Sequence, residues 1–82
     1  MNASQMRVKR SLEKDVPGLG AKIKQAREAD SRSLETISSL AQMSRVYWYD
    51  IEAEKIRGAL PEETLRKIEQ VLGVNFGVDF DD

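Results

Sequence analysis

The sequence contains no cysteine and no histidine. The first absence excludes disulfides and thiolate nucleophiles, the second removes imidazole bases, and together they take away the commonest zinc ligands. No catalysis, cofactor or metal is expected from such a chain. The carboxylates Asp79, Asp81 and Asp82 at the end of the sequence read as a solvated acidic tail rather than a divalent-ion site. A chain without cysteine suits a reducing compartment, and the expectation is a cytoplasmic protein. No apolar run approaches the ~20 residues of a membrane span, so no membrane partner is expected. The opening stretch MNASQMRVKRSLEKD is too charged to hold a signal-peptide core.

Eighty-two residues allow one small domain. A chain this short buries only a modest share of its surface, so packing against a second copy would help it. The net charge of −1 is unevenly spread: residues 1–27 hold seven basic and two acidic side chains, residues 28–82 six and twelve. A local basic face can therefore coexist with an acidic total, and it is the local field that a polyanion meets.

Prolines and glycines are few, and they punctuate the chain. Residues 1–16 form a basic arm in which Met6, Val8, Arg10 and Leu12 alternate with Arg7, Lys9 and Ser11, the period of a strand. This arm either pairs as a strand with residues 74–80, reaches into a minor groove, or stays flexible. Pro17, Gly18 and Gly20 mark where the globular part, residues 17–73, begins; Gly18-Leu19-Gly20 lacks the strand a nucleotide-binding loop requires and reads as a hinge. A first helix is expected over Leu19 to Ala29, with Leu19, Ile23 and Ala26 on one face. Further on, Pro61 suits a helix start, Glu62 and Glu63 favour its positive end, Leu65, Ile68 and Leu72 supply a buried stripe, and Gly73 ends it. In the tail, residues 74–82, Val74, Phe76, Val78 and Phe80 alternate strictly, which predicts a strand able to join two copies of the chain.

Ser33 to Glu52, SLETISSLAQMSRVYWYDIE, is the most informative segment. Leu34, Ile37 and Ala41 form a narrow apolar stripe behind Ser33, a residue able to cap a helix. Gln42 and Met43 interrupt that stripe, and Ser44 is placed to cap a second helix whose apolar positions are Trp48 and Ile51. Two helices this close in sequence must cross steeply. With Met43 tucked into the bend both stripes face one core, leaving Arg45, Val46, Tyr49 and Asp50 outward, with Tyr47 half-buried. This is a helix-turn-helix, whose second helix is the element commonly laid into the DNA major groove. Tyr47, Trp48 and Tyr49 cannot make one stacking platform, because consecutive helical positions point in different directions.

LGAKIKQARE, SLETISSLAQMSRVYWYDIE and LPEETLRKIEQVLGV, in this order and spacing, resemble the opening helix, corner and closing helix of the Cro/C1-type (Xre) helix-turn-helix family over about Leu19 to Val74. The resemblance implies an all-α, lambda-repressor-like domain of four to five helices, acting as a homodimeric, sequence-specific regulator on double-stranded DNA. It implies DNA contacts from Ser33 and Leu34, from Ser44, Arg45, Val46, Tyr47, Tyr49 and Asp50, and from Lys55 and Arg57, together with a structural ion pair between Arg27 and Glu52. Arg45 fits bidentate guanine recognition, the alternative being a solvated first-turn residue; Lys55 and Arg57 suit phosphate. Leu34 stands where many members have glutamine. Gln42 and Glu54 replace common glycines, so positive φ is expected at Gln42, and the connection after Glu54 is about two residues longer than usual. Asp50 would be repelled by phosphate unless it accepts a hydrogen bond from a cytosine amino group. With Val46 and Tyr49 beside it, Asp50 also suits a second reading, a protein-interaction module that keeps the fold and turns this surface toward a protein partner.

Overall fold

The computed structural model describes residues 5–9 and 13–80. Met6 and Val8, alternating with Arg7 and Lys9, make a strand, β1 (Gln5–Lys9), that turns both apolar side chains into the core. A second strand, β2 (Glu13–Pro17), runs antiparallel to it, with Met6 opposite Val16 and Val8 opposite Lys14. The other residues of the expected arm alternation, Arg10, Ser11 and Leu12, lie outside the described residues.

Helix α1 (Leu19–Glu28) follows Gly18, whose φ of 77° gives the turn a left-handed residue. Its N-terminus lacks a local side-chain cap; instead the Glu54 carboxylate accepts from the Gly20 amide at 2.9 Å, placing negative charge at the positive end of the helix dipole. Helix α2 (Leu34–Leu40) is capped by Ser33, whose hydroxyl accepts from Thr36 N–H, and helix α3 (Arg45–Glu52) by Ser44, which accepts from Tyr47 N–H. A two-residue strand, β3 (Leu60–Pro61), leads into helix α4 (Glu62–Leu72), which Gly73 closes at φ 68°. Strand β3 pairs parallel to β1, Val8 opposite Leu60, so the sheet order is β2-β1-β3.

Among the described residues, four helices and a three-stranded mixed sheet correct the all-α expectation. The alternation at Met6 and Val8 is short, but β2 is close in sequence and the long connection after α3 brings Leu60 alongside, so β1 is paired on both edges. Residues 74–80 correct a second expectation: they form no strand, and β1 does not pair with them. Four of their main-chain groups are taken by side chains. Glu69 accepts from Phe76 N–H at 2.9 Å, Arg66 donates to the Val78 carbonyl at 2.7 Å, and Lys14 donates to the Asp79 carbonyl. Gly77, at φ 76°, breaks the extended run, and its N–H donates to the Asn75 side chain. Val78 is buried, Phe76 and Phe80 pack against the core, and Val74 is left exposed, so most of the apolar alternation is spent on this chain's own interior.

One core therefore runs through arm, helices and tail: Met6 and Val8 from the sheet, Leu19 and Ile23 from α1, Ile37 from α2, Trp48 and Ile51 from α3, Leu65 and Ile68 from α4, and Val78. Among the described residues no helix is long and apolar enough to cross a membrane.

Candidate nucleic-acid interface

The corner between α2 and α3 is made by three main-chain hydrogen bonds. Ala41, Gln42 and Met43 donate to the carbonyls of Ile37, Ser39 and Ser38. Gln42 has φ 61°, the left-handed region expected there, and Glu54, the other residue in a glycine position, has φ 57°. Each such conformation costs a non-glycine residue roughly 1 kcal/mol or more. Met43 packs half-buried against the core in the bend, and Trp48 is fully buried.

Below the corner a single carboxylate ties α1 to α3. Glu52, 5% exposed at its side chain, accepts from Arg27 Nε at 2.6 Å, from Arg27 Nη2 at 3.0 Å and from Trp48 Nε1 at 2.6 Å. The Arg27–Glu52 pair is thus formed as the resemblance implies, and the hydrogen bond to Glu52 raises the Arg27 pKa further above its ordinary value. The Arg27 guanidinium also lies 5.8 Å from the centre of the Tyr49 ring, within cation–π range.

Above this buried support, Ser33, Leu34, Arg45, Val46 and Tyr49 line one shallow groove of about 420 Å³, where the start of α2 meets the outer face of α3. Five of the expected contact residues are thereby brought together on two helices. Val46 is 70% and Tyr49 53% exposed, an apolar and aromatic surface with no core to cover. Ser44 and Tyr47 do not join it; they line a separate notch of about 300 Å³ together with Gln42, Thr64 and Lys67. Asp50, expected outward, is half-buried and outside the groove. Lys55 and Arg57 lie exposed on the connection after α3, also outside it. Arg45, Lys55 and Arg57 make no ion pair among the described residues, whereas Arg7, Arg27, Arg32 and Arg66 are each bound to a carboxylate.

Sequence reasoning missed four residues. Glu35 joins the groove as the next position along α2 from Leu34, and Lys24 approaches Tyr49 from α1. Thr64 and Lys67 come to the notch from α4, more than twenty positions along the chain from Gln42, and no local pattern signals that approach. The expected acidic tail residues Asp81 and Asp82 lie outside the described residues. No protein-family model, curated protein or solved structure matches this chain.

Proposed function

We propose that the protein is a cytoplasmic, sequence-specific DNA-binding regulator of the Cro/C1 type. Helix α3 enters the major groove, Arg45 reads a base edge, and Lys55 and Arg57 contact phosphate. The observation that carries this reading is the shared groove of Ser33, Leu34, Arg45, Val46 and Tyr49 on two capped helices, with Arg45, and Lys55 and Arg57 on the connection after α3, making no ion pair among the described residues. An arginine free of intramolecular pairing keeps its planar fork for guanine O6 and N7, and unpaired cations can displace the counterions condensed on DNA. The resemblance of the corner supports action as a homodimer, with half-sites about 34 Å apart on one face of the duplex.

Selection of duplexes from a random pool tests the proposal. The expected result is an enriched sequence with two-fold symmetry, bound with an affinity that falls steeply as salt rises. The exposed Val46 and Tyr49, with Glu35 beside them, favour a second reading, a module that docks on another protein. A pool that enriches nothing, with affinity for duplexes indifferent to salt, supports that second reading instead.

A further inference from the structure

We infer that the notch between the helix corner and α4 is a second phosphate site, with Lys67 as its cation, gripping the DNA backbone on the flank of α3 away from Lys55 and Arg57. The inference rests on the DNA-binding reading above and adds to it a contact that neither the corner motif nor the resemblance supplies.

Three observations meet at this notch. Lys67 is exposed on α4, and its Nζ donates to Gln42 Oε1 at 3.2 Å. The partner is a neutral amide, and among the described residues, unlike Arg7, Arg27, Arg32 and Arg66, this cation is positioned without an ion pair to a carboxylate. Next, the residue that positions it occupies a strained turn conformation that glycine would adopt more readily. Glycine at position 42 would relieve that strain but would supply no side chain to hold Lys67. The strain thus falls on the residue whose amide oxygen holds Lys67. Finally, Ser44, Tyr47 and Thr64, three hydroxyl-bearing residues, line the same notch as Lys67 at the edge of α3. An ammonium with neutral hydroxyl and amide neighbours is the chemistry that binds a phosphodiester oxygen, and Ser44 immediately precedes Arg45, the proposed base reader.

Because a lysine-to-phosphate contact carries no base information, it predicts a uniform effect on all sequences. The test measures binding by fluorescence anisotropy across a sodium chloride series, with a mixed-sequence duplex and the duplex enriched by selection. The proteins compared are the full chain and its Lys67→Met, Gln42→Gly and Arg45→Ala variants. Methionine keeps the aliphatic packing of the lysine stem. Expected for Lys67→Met is a weakening of similar fold on both duplexes, with the slope of log affinity against log salt shallower by about one. Gln42→Gly is expected to raise the melting temperature by relieving the positive φ, and yet to weaken binding as Lys67→Met does. A purely structural role for Gln42 would not produce that divergence. Arg45→Ala, by contrast, is expected to narrow the difference between the two duplexes.

Wild-type binding that depends on salt, combined with an unchanged slope in Lys67→Met, overturns this inference and leaves the DNA-binding reading standing. Absence of salt-dependent duplex binding by the wild-type chain overturns both.

Discussion

Arg27 of α1 holds Glu52 of α3 through two parallel hydrogen bonds, at 2.6 and 3.0 Å, with side chains only 16% and 5% exposed. The same carboxylate accepts from the indole of Trp48, and the same guanidinium lies against Tyr49. The orientation of α3 relative to α1, and with it the direction in which Tyr49 faces, is therefore set by one buried polar cluster. Replacing both partners by apolar groups would cost little, but removing one strands the other without solvent.

Glu52→Ala is accordingly expected to destabilise the fold by about 3 kcal/mol, since it leaves both a guanidinium and an indole N–H unsatisfied. Glu52→Gln, whose amide oxygen can still accept from Trp48, should lose less. Urea unfolding of the two variants against the parent checks the order, and equal midpoints for Glu52→Ala and the parent would rule out the clustered role.

Gly20→Ala sets helix propensity against packing. Alanine is favoured over glycine in a helix interior by about 1 kcal/mol. A Cβ at position 20, however, would collide with the main-chain carbonyl of Glu52 and the Cγ of Glu54, where α1 approaches the end of α3. Backbone cannot move as a flexible side-chain tip can, so the collision wins and the variant should be destabilised by roughly 1 to 3 kcal/mol. A raised melting temperature for Gly20→Ala would show that the two helices are further apart in solution.

Arg57→Ala and Lys55→Ala are expected to weaken duplex binding with little change in sequence preference, each reducing the salt slope by about one. Arg45→Ala should cost about 1 to 3 kcal/mol on the preferred duplex and relax the preference at one base position. Repeating the duplex selection with each variant separates these outcomes.

The Asp30 carboxyl is lowered from 3.8 to about 2, chiefly by the side-chain hydrogen bonds it accepts from Arg32 and then by the Arg32 main-chain N–H. Its folded-state value lies below the unfolded one, so its stabilising contribution is complete above about 3.8 and is lost as pH falls through about 2. Carbon-13 chemical shifts of the Asp30 carboxyl, followed to low pH, are expected to place its midpoint near 2. A midpoint at the ordinary value would mean that the pair is open in solution, and the contact of Arg32 with the Val71 carbonyl at 2.7 Å would then lose its support.

Glu69→Ala should release the tail while leaving the helices folded. Loss of the bond to Phe76 N–H, worth about 1 to 3 kcal/mol for a charged acceptor, predicts amide exchange at Phe76 faster by roughly tenfold or more, with Ile23 in α1 unaffected. Exchange unchanged at Phe76 would show that another group holds the segment.

The caps and stripes of the corner were legible because their causes are local. A serine hydroxyl reaches an amide three residues ahead, and Ile37, Trp48 and Ile51 lie on faces that their own helical spacing defines. The positive φ at Gln42 was expected from the resemblance instead, since Gln42 stands where the family commonly has glycine. The tail was not: Val74, Phe76, Val78 and Phe80 alternate whether the segment pairs with a strand or lies across a core, and what discriminates is the grip of Glu69 and Arg66 from α4 and of Lys14 from β2.

The amino-acid sequence by itself determined the helical segments, the Ser33 and Ser44 caps and the outward placement of Arg45, Val46 and Tyr49, since each depends on interactions within a few residues. Tertiary structure alone decided that β1 is completed by Leu60, that the tail is folded onto its own chain, and that Lys67 stands beside the corner. Strand partners and long-range side-chain grips are set by which surfaces meet once the core closes, and that geometry is absent from any single segment.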